Sequence, residues 1–218
     1  MNIFDKYYYG ENGQILGDSI KIAGEKIGEE VKASEINISG ILIAKRIKCN
    51  GLYVKGSVHS DEITTKLLKC KGEIIAKNAI AEKISLIGQI ESNNISAEEI
   101  NIVGKLKSND LNFKNFYLMG EIFSKMVDGD KIEVKGGGKI EEIKCKEIKI
   151  KRAEKRMFWK SNKLEIGKLT ANNVDIENCI VKNLECNSGN IGDGAKINHL
   201  ITTGKVQISK KAVIEERR

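Results

Sequence analysis

Two histidines, five cysteines and one cluster of basic and aromatic residues are the side chains whose types and spacing could do chemistry in this 218-residue chain. His59 and His199 are the candidates for a general base, a role that needs a proton donor or an orienting carboxylate within hydrogen-bond reach. Neither stands beside a recognisable carboxylate in the sequence. The cysteines, Cys49, Cys70, Cys145, Cys179 and Cys186, include no C-x-x-C pair, the spacing that marks many zinc and redox sites. They read as small apolar residues of a tight interior. No catalytic, metal-binding or cofactor-binding residue is expected, and the chain is read as a non-enzyme.

The third group is the most distinctive. Residues 131–163 hold twelve Lys or Arg and five Glu, a net of +7 that equals the net charge of the whole chain. Within it lie Arg152, Lys155, Arg156, Met157, Phe158, Trp159 and Lys160, with the one tryptophan of the sequence. Basic residues beside exposed aromatics suit an anionic membrane surface, where rings enter the interface and cations meet headgroups, or a partner protein. Nucleic acid, bound through phosphates and stacking, is the less favoured partner. The competing structural reading folds Met157, Phe158 and Trp159 inward as a plug in an irregular coil near 152–162.

What must position these residues is a repeat. Gly24, Gly40, Gly56, Gly72, Gly88, Gly104, Gly120 and Gly136 recur every sixteen residues without a slip, the mark of a solenoid. With glycine as slot 1, slots 3, 8, 13 and 15 are apolar almost throughout, as in Ile90, Ile95, Ile100 and Ile102, while slots 5 and 10 are small, as in Ser92 and Ala97. Three inward pairs per block, each pair two residues apart, describe three short strands with one buried face. The fold class is therefore all-β, a single-stranded parallel β-helix with triangular coils of about sixteen residues. Proline is absent, as expected where every strand N–H serves a neighbouring rung.

The register extends outward from this block. Ile20 and Ile22 fall in slots 13 and 15 of an earlier coil, so the β-helix is expected over residues 14–214, with 1–13 as an N-terminal cap or contact segment. In the first block Lys26 falls in an inward slot and Ile27 is expected to replace it. After Gly136 the glycine ladder stops at Arg152; Leu164 and Ile166 fit slots 13 and 15, a coil of fifteen follows from Gly167, and a loop is expected around Ser188–Gly194. Outward slot 4 carries Ile27, Ile43 and Ile75, and slot 16 carries Ile87, Val103 and Met119, weak apolar stripes for lateral contact. No apolar run approaches a membrane span and no signal peptide is recognised, so a cytoplasmic place, peripheral at the inner face of the cell membrane, is expected.

The segments 72–87 and 88–103 read as a G-x-I-x-A/S-x-x-I-x-A-x-x-I-x-I-x rung, which resembles the bactofilin family of polymer-forming cytoskeletal proteins. The resemblance covers roughly residues 24–151. It implies a right-handed triangular β-helix that joins end to end into filaments or sheets without nucleotide. The chain departs from the family in lacking proline-rich tails and in its break near residue 152. A rival reading takes Ile191-Gly-Asp-Gly-Ala-Lys-Ile197 as a hexapeptide of the acyltransferase type, but it is a single copy in a chain of period sixteen. The expected function is thus a self-assembling scaffold, with a surface binding module as the alternative. Uncovered terminal coils invite stacking; Phe4, Tyr7, Tyr8, Tyr9, Ile20, Ile22, Val206 and Ile208 are the candidates for that interface, or for caps that prevent it.

Overall fold

The computed structural model describes residues 8–9, 13–152 and 163–218, the first two by their backbone. The strands are β1 (Tyr8–Tyr9), β2 (Gln14–Leu16), β3 (Ser19–Lys32), β4 (Glu35–Lys48), β5 (Gly51–Lys151), β6 (Leu164–Ile176), β7 (Cys179–Ile191), β8 (Lys196–Thr202), β9 (Val206–Ile208) and β10 (Val213–Arg217). Among the described residues there is no α-helix. The strands stack in parallel as a β-solenoid with turns about 16 residues apart. By contacts the chain divides into two compact units, Met1–Ile102 and Val103–Arg218.

In the first unit the sixteen-residue step holds throughout. Ile20 pairs with Ile36, Ile22 with Ile38, Gly24 with Gly40 and Val31 with Ile47; β4 repeats the step on β5, with Ile36 on Leu52 and Ile38 on Val54. Like residues therefore stack on like. Slots 13 and 15 form one buried wall, Ile20, Ile36, Leu52, Leu68, Ile84 and Ile100 beside Ile22, Ile38, Val54, Cys70, Leu86 and Ile102. We call this wall C, the slot 3 and 5 strand wall A, and the slot 8 and 10 strand wall B. Full burial of each such side chain contributes about 1.5–3 kcal/mol.

The slot 1 glycines have two reasons to be glycine. From Gly40 to Gly136 their φ angles lie between 132° and 154°, a region only glycine adopts readily. Stacking adds the second: a Cβ on Gly40 would overlap the carbonyl oxygen of Gly24, and Gly56, Gly72 and Gly88 stand in the same relation to the glycine one rung earlier. Gly24 begins the ladder and a Cβ there would meet nothing within 4 Å.

The small slots are not merely small. A corner turns strand carbonyls away from their ladder, and buried carbonyls need donors. Ser60 Oγ lies 3.2 Å from Lys45 O and 3.0 Å from Glu62 O, Thr65 Oγ1 lies 3.1 Å from Asn50 O and 3.2 Å from Leu67 O, and Ser92 Oγ lies 3.1 Å from Lys77 O and 2.9 Å from Asn94 O. Each hydroxyl thus spans a corner carbonyl of the previous rung and one of its own. Among the described residues no buried side-chain nitrogen or oxygen is left without a partner.

The second unit keeps the alternation and varies the step. Ser124 repeats the corner device, 3.2 Å from Asn109 O and 3.1 Å from Met126 O, and its Oγ stands 3.0 Å from that of Ser108. Phe113 fills slot 10 against Phe116, their ring centroids 5.2 Å apart, and Gly129 leaves room for its ring one rung later, where a Cβ would overlap it.

Three expectations of register are corrected. Leu164 and Ile166 pair with Gly138 and Ile140, so they occupy slots 3 and 5 of wall A and not slots 13 and 15; Gly167 follows at a corner and does not continue the glycine ladder. The reason is an insertion: the step from Ile140 to Ile166 is sixteen plus ten residues. The following step is fifteen, Leu164 to Cys179 and Leu169 to Leu184, as the sequence suggested. The loop expected around Ser188–Gly194 is strand as far as Ile191, with a turn only at Gly192–Gly194; extra length is spread over steps of sixteen, Ile180 to Lys196, and seventeen, Ile191 to Ile208. In the first block Lys26 keeps its place opposite Leu42, half-buried, and Ile27 does not replace it but stands 66% exposed.

Candidate functional surfaces

At the N-terminal edge, β1 runs antiparallel to β2, with Tyr8 opposite Leu16 and Tyr9 opposite Ile15. It covers wall B alone. On walls A and C, Ser19 to Gly28 pair with the next rung on one side, and among the described residues no strand lies on the other. Ile20 and Ile22 are 0% and 4% exposed, so what wall C offers here is an open backbone edge with its side chains already packed. Phe4 and Tyr7 lie outside the described residues.

At the C-terminal edge, β10 lies on β8 and β9 lies on β7. β10 sets Arg217 opposite Leu200, so wall B ends on a charge where slot 8 is otherwise apolar. Wall C ends on Val206 and Ile208, both half-buried. Gly189 N–H donates to Lys205 O at 3.3 Å and Ser209 N–H to Ile191 O at 2.8 Å. By the alternation of a parallel ladder the N–H groups of Val206 and Ile208 then face outward from β7. The pairing Ile176–Ile191–Ile208 places Ile208 in slot 15 and Val206 in slot 13, the slots that Ile22 and Ile20 hold.

Of the basic segment, Arg152 is described and exposed, and its N–H donates to Glu177 Oε1 at 3.2 Å. Lys155, Arg156, Met157, Phe158, Trp159 and Lys160 lie outside the described residues. The step from Ile140 to Ile166 is ten residues longer than sixteen, and Leu164 and Ile166 fill wall A at 0% and 2% exposure. Lys163 Nζ donates to Gly194 O at 3.0 Å, which ties the far end of the insertion to the Gly192–Gly194 turn.

The chemistry-bearing residues are dispersed. His199 does have a carboxylate partner, against expectation: its Nδ1 is 3.0 Å from Glu216 Oε2, a cross-rung neighbour brought by β10 on β8. Both side chains are more than half exposed, so the pair is worth about 0–1 kcal/mol. His59 is half-buried on the outer side of wall A. Cys49, Cys70, Cys179 and Cys186 are buried and Cys145 half-buried. Burial pushes the thiols of Cys70, Cys145 and Cys179 up to about 12, with Glu73, Asp128 and Glu177 respectively adding to the rise and Lys163 opposing it at Cys179. Such thiols hold almost no thiolate at neutral pH. Among the described residues no three His, Cys, Asp or Glu side chains gather as a metal site. Ile191–Ile197 forms the corner between walls C and A, with Ala195 at 0% exposure.

The outward stripes are real in the first unit. Ile27, Ile43 and Ile75 are 66%, 36% and 37% exposed and line, with His59, a shallow groove of about 470 Å³ edged by the ion pairs Lys45–Glu29 (2.6 Å) and Lys77–Asp61 (2.9 Å). Ile87 is exposed in this unit, and in the second unit Val103 is exposed and Met119 half-buried. Set against protein-family models, curated proteins and solved structures, the chain matches none of them.

Proposed function

We propose that this chain is a non-catalytic structural scaffold that self-assembles end to end, a polymer of the bactofilin type placed in the cytoplasm. The observation that carries the reading is that each unit has an apolar strand paired on one side only among the described residues, Ser19–Ile22 in the first and Val206–Ile208 in the second, with apolar residues in the same slots 13 and 15. Joining β9 of one copy to β3 of the next continues the ladder with Val206 against Ile20 and Ile208 against Ile22. Each backbone hydrogen bond so gained contributes about 0.5–1.5 kcal/mol. The contact is heterologous and propagates as an open filament. Because Ile22 is buried within its own coil, a charge there would test the coil; Ile208 is the informative position. Ile208→Asp is expected to convert polymer to monomer in sedimentation and negative-stain microscopy with the far-ultraviolet circular dichroism retained. Unchanged sedimentation of a folded variant sinks the reading.

The ten-residue insertion favours a second role, contact with an anionic membrane surface. Among the described residues this is the one step that lengthens by more than one residue, and the sequence of the inserted stretch is basic and aromatic. Deleting residues 153–162 restores the sixteen-residue step. The variant is expected to lose binding to liposomes that contain phosphatidylserine, the loss being largest at low salt. Equal binding by the deletion variant and the full chain overturns this role.

A further inference from the structure

We infer that the outer face of wall C in the first unit holds a binding site for the phosphate group of a small soluble ligand, with Lys55, Lys69 and Lys71 as its cationic side chains. The site depends on neither the end contact nor the membrane contact.

Outward charges that stack at the sixteen-residue step in this unit meet the opposite sign in Lys45 with Glu29 at 2.6 Å, Lys77 with Asp61 at 2.9 Å and Lys83 with Glu99 at 2.5 Å. Slot 16 does the reverse. Lys55 and Lys71 stack like on like, and Lys69 stands two residues from Lys71 on the same outer face. Like charges directly opposite on neighbouring strands are destabilising, so the three cations carry a cost that a bound anion would remove. Lys32 on Lys48 is a like pair too, but Glu30 shares the outer face of that strand. From residue 21 to residue 101, slots 14 and 16 contain no acid.

The three lysines line a groove of about 290 Å³ together with Tyr53, Ser39 and Ser85, and no acid lines it. All three are exposed, and none has an ion-pair partner among the described residues. The nearest acid along the chain, Glu73, lies past the Gly72 corner in slot 2 and accepts from Gln89 Nε2. The framework is fixed before a ligand arrives. Lys55 and Lys71 precede Gly56 and Gly72, whose backbones stack so closely that a Cβ on Gly72 would overlap the Gly56 carbonyl oxygen. The edge of the Tyr53 ring fills the space that a side chain at Gly51 would take, and Lys69 Nζ stands over that ring, 5.9 Å from its centroid, within cation–π range.

An ammonium group offers three donors and no acceptor, so the set is built to meet an anion. The backbones that carry Lys55 and Lys71 lie about 4.8 Å apart, and Lys69 and Lys71 are about 6.6 Å apart along one strand. Four-carbon stems let all three ammonium groups converge on the oxygens of one phosphate or of a diphosphate. A phosphate ester brings close to two negative charges and three acceptor oxygens, which suits three cations better than a single carboxylate does. A groove of this volume is at the small end for ligand sites, which favours a compact soluble phosphate over a lipid surface.

Inorganic pyrophosphate is the probe, titrated into the full chain at low ionic strength. Calorimetry is expected to show one site, and pyrophosphate to raise the melting temperature where sodium chloride of equal ionic strength does not. Lys55→Gln and Lys71→Gln are each expected to weaken binding about tenfold or more. Lys66→Gln, at an exposed lysine outside the groove, is expected to leave it within about twofold, since distant surface charge is screened. Without anion the two groove variants are expected to melt no lower than the parent, because a like-charge contact has been removed; that pattern separates loss of a site from loss of the fold. Liposomes that contain phosphatidic acid present the same group on a surface, and both groove variants are expected to bind them as the parent does. No pyrophosphate binding by the folded parent, equal binding by the groove variants, or equal weakening by Lys66→Gln overturns the inference. So does a loss of liposome binding in the groove variants with pyrophosphate binding intact, which would assign the lysines to a lipid surface.

Discussion

The first unit, residues 1–102, never departs from the sixteen-residue step, whereas the second uses steps of sixteen, twenty-six, fifteen and seventeen. The difference coincides with the glycine ladder. Where slot 1 glycines stack, each carbonyl occupies the site of the next Cβ, so adding or losing a residue between two glycines would break a close backbone contact. After Gly136 that constraint ends, and only the apolar pairs hold the register. Pairs need to alternate inward; they do not care how many residues the corner between them spends. The ten-residue insertion, the fifteen-residue coil and the seventeen-residue coil all sit at corners, and the buried pairs on either side of them are intact. Glycine sets the length of a rung, and apolar alternation sets only its direction.

Three substitutions and one deletion sharpen or break this comparison. The largest effect is expected from Ile90→Asp, which places an unpaired carboxylate in a wall position that is 1% exposed; the cost exceeds about 4 kcal/mol and cooperative thermal unfolding is lost. A cooperative transition near that of the parent would mean that slot 3 is not core. Gly56→Ala comes next, because its Cβ overlaps the Gly40 carbonyl and backbone must move. It is expected to cost more than about 3 kcal/mol in thermal or urea unfolding, while Gly24→Ala, with φ 79° and open space, pays only for its left-handed backbone, about 1–2 kcal/mol. Equal losses at the two glycines would refute stacking as the reason for the ladder. The smallest effect on stability is expected from deleting residues 153–162, since wall A is already filled by Leu164 and Ile166; its melting temperature should stay within about 3 °C of the parent, and a collapse would show that the insertion supports the coil beneath it.

Much of this was legible because a repeat averages out local ambiguity. Ile36, Ile47, Leu42 and Ile38 each recur in kind at sixteen residues, so their burial follows from period alone. The serines at slot 5 were legible as small and not as donors, since the carbonyls they serve belong to residues fifteen positions earlier. Glu216 is seventeen residues from His199, beyond the fixed step, so the pair could be found only once the last coils had shown their drift. Lys26 kept an inward slot because register is set by its neighbours Gly24 and Gly28, both held by the rung below, and a long side chain at the rim can lead its ammonium out to water. Counting through the insertion as though it were a rung puts Leu164 and Ile166 in slots 13 and 15, whereas their pairing with Gly138 and Ile140 puts them in slots 3 and 5.

The sequence by itself determined the all-β class, the parallel stacking, the period and the identity of the core walls through residue 151, since these follow from glycine spacing and two-residue alternation repeated eight times. The fold in space fixes where the count fails and which end strands are paired on one side only among the described residues. The physical reason is that period is a property of one rung and its copies. Edges and corners depend on the neighbouring strand, and that neighbour is chosen by how the coils meet in space.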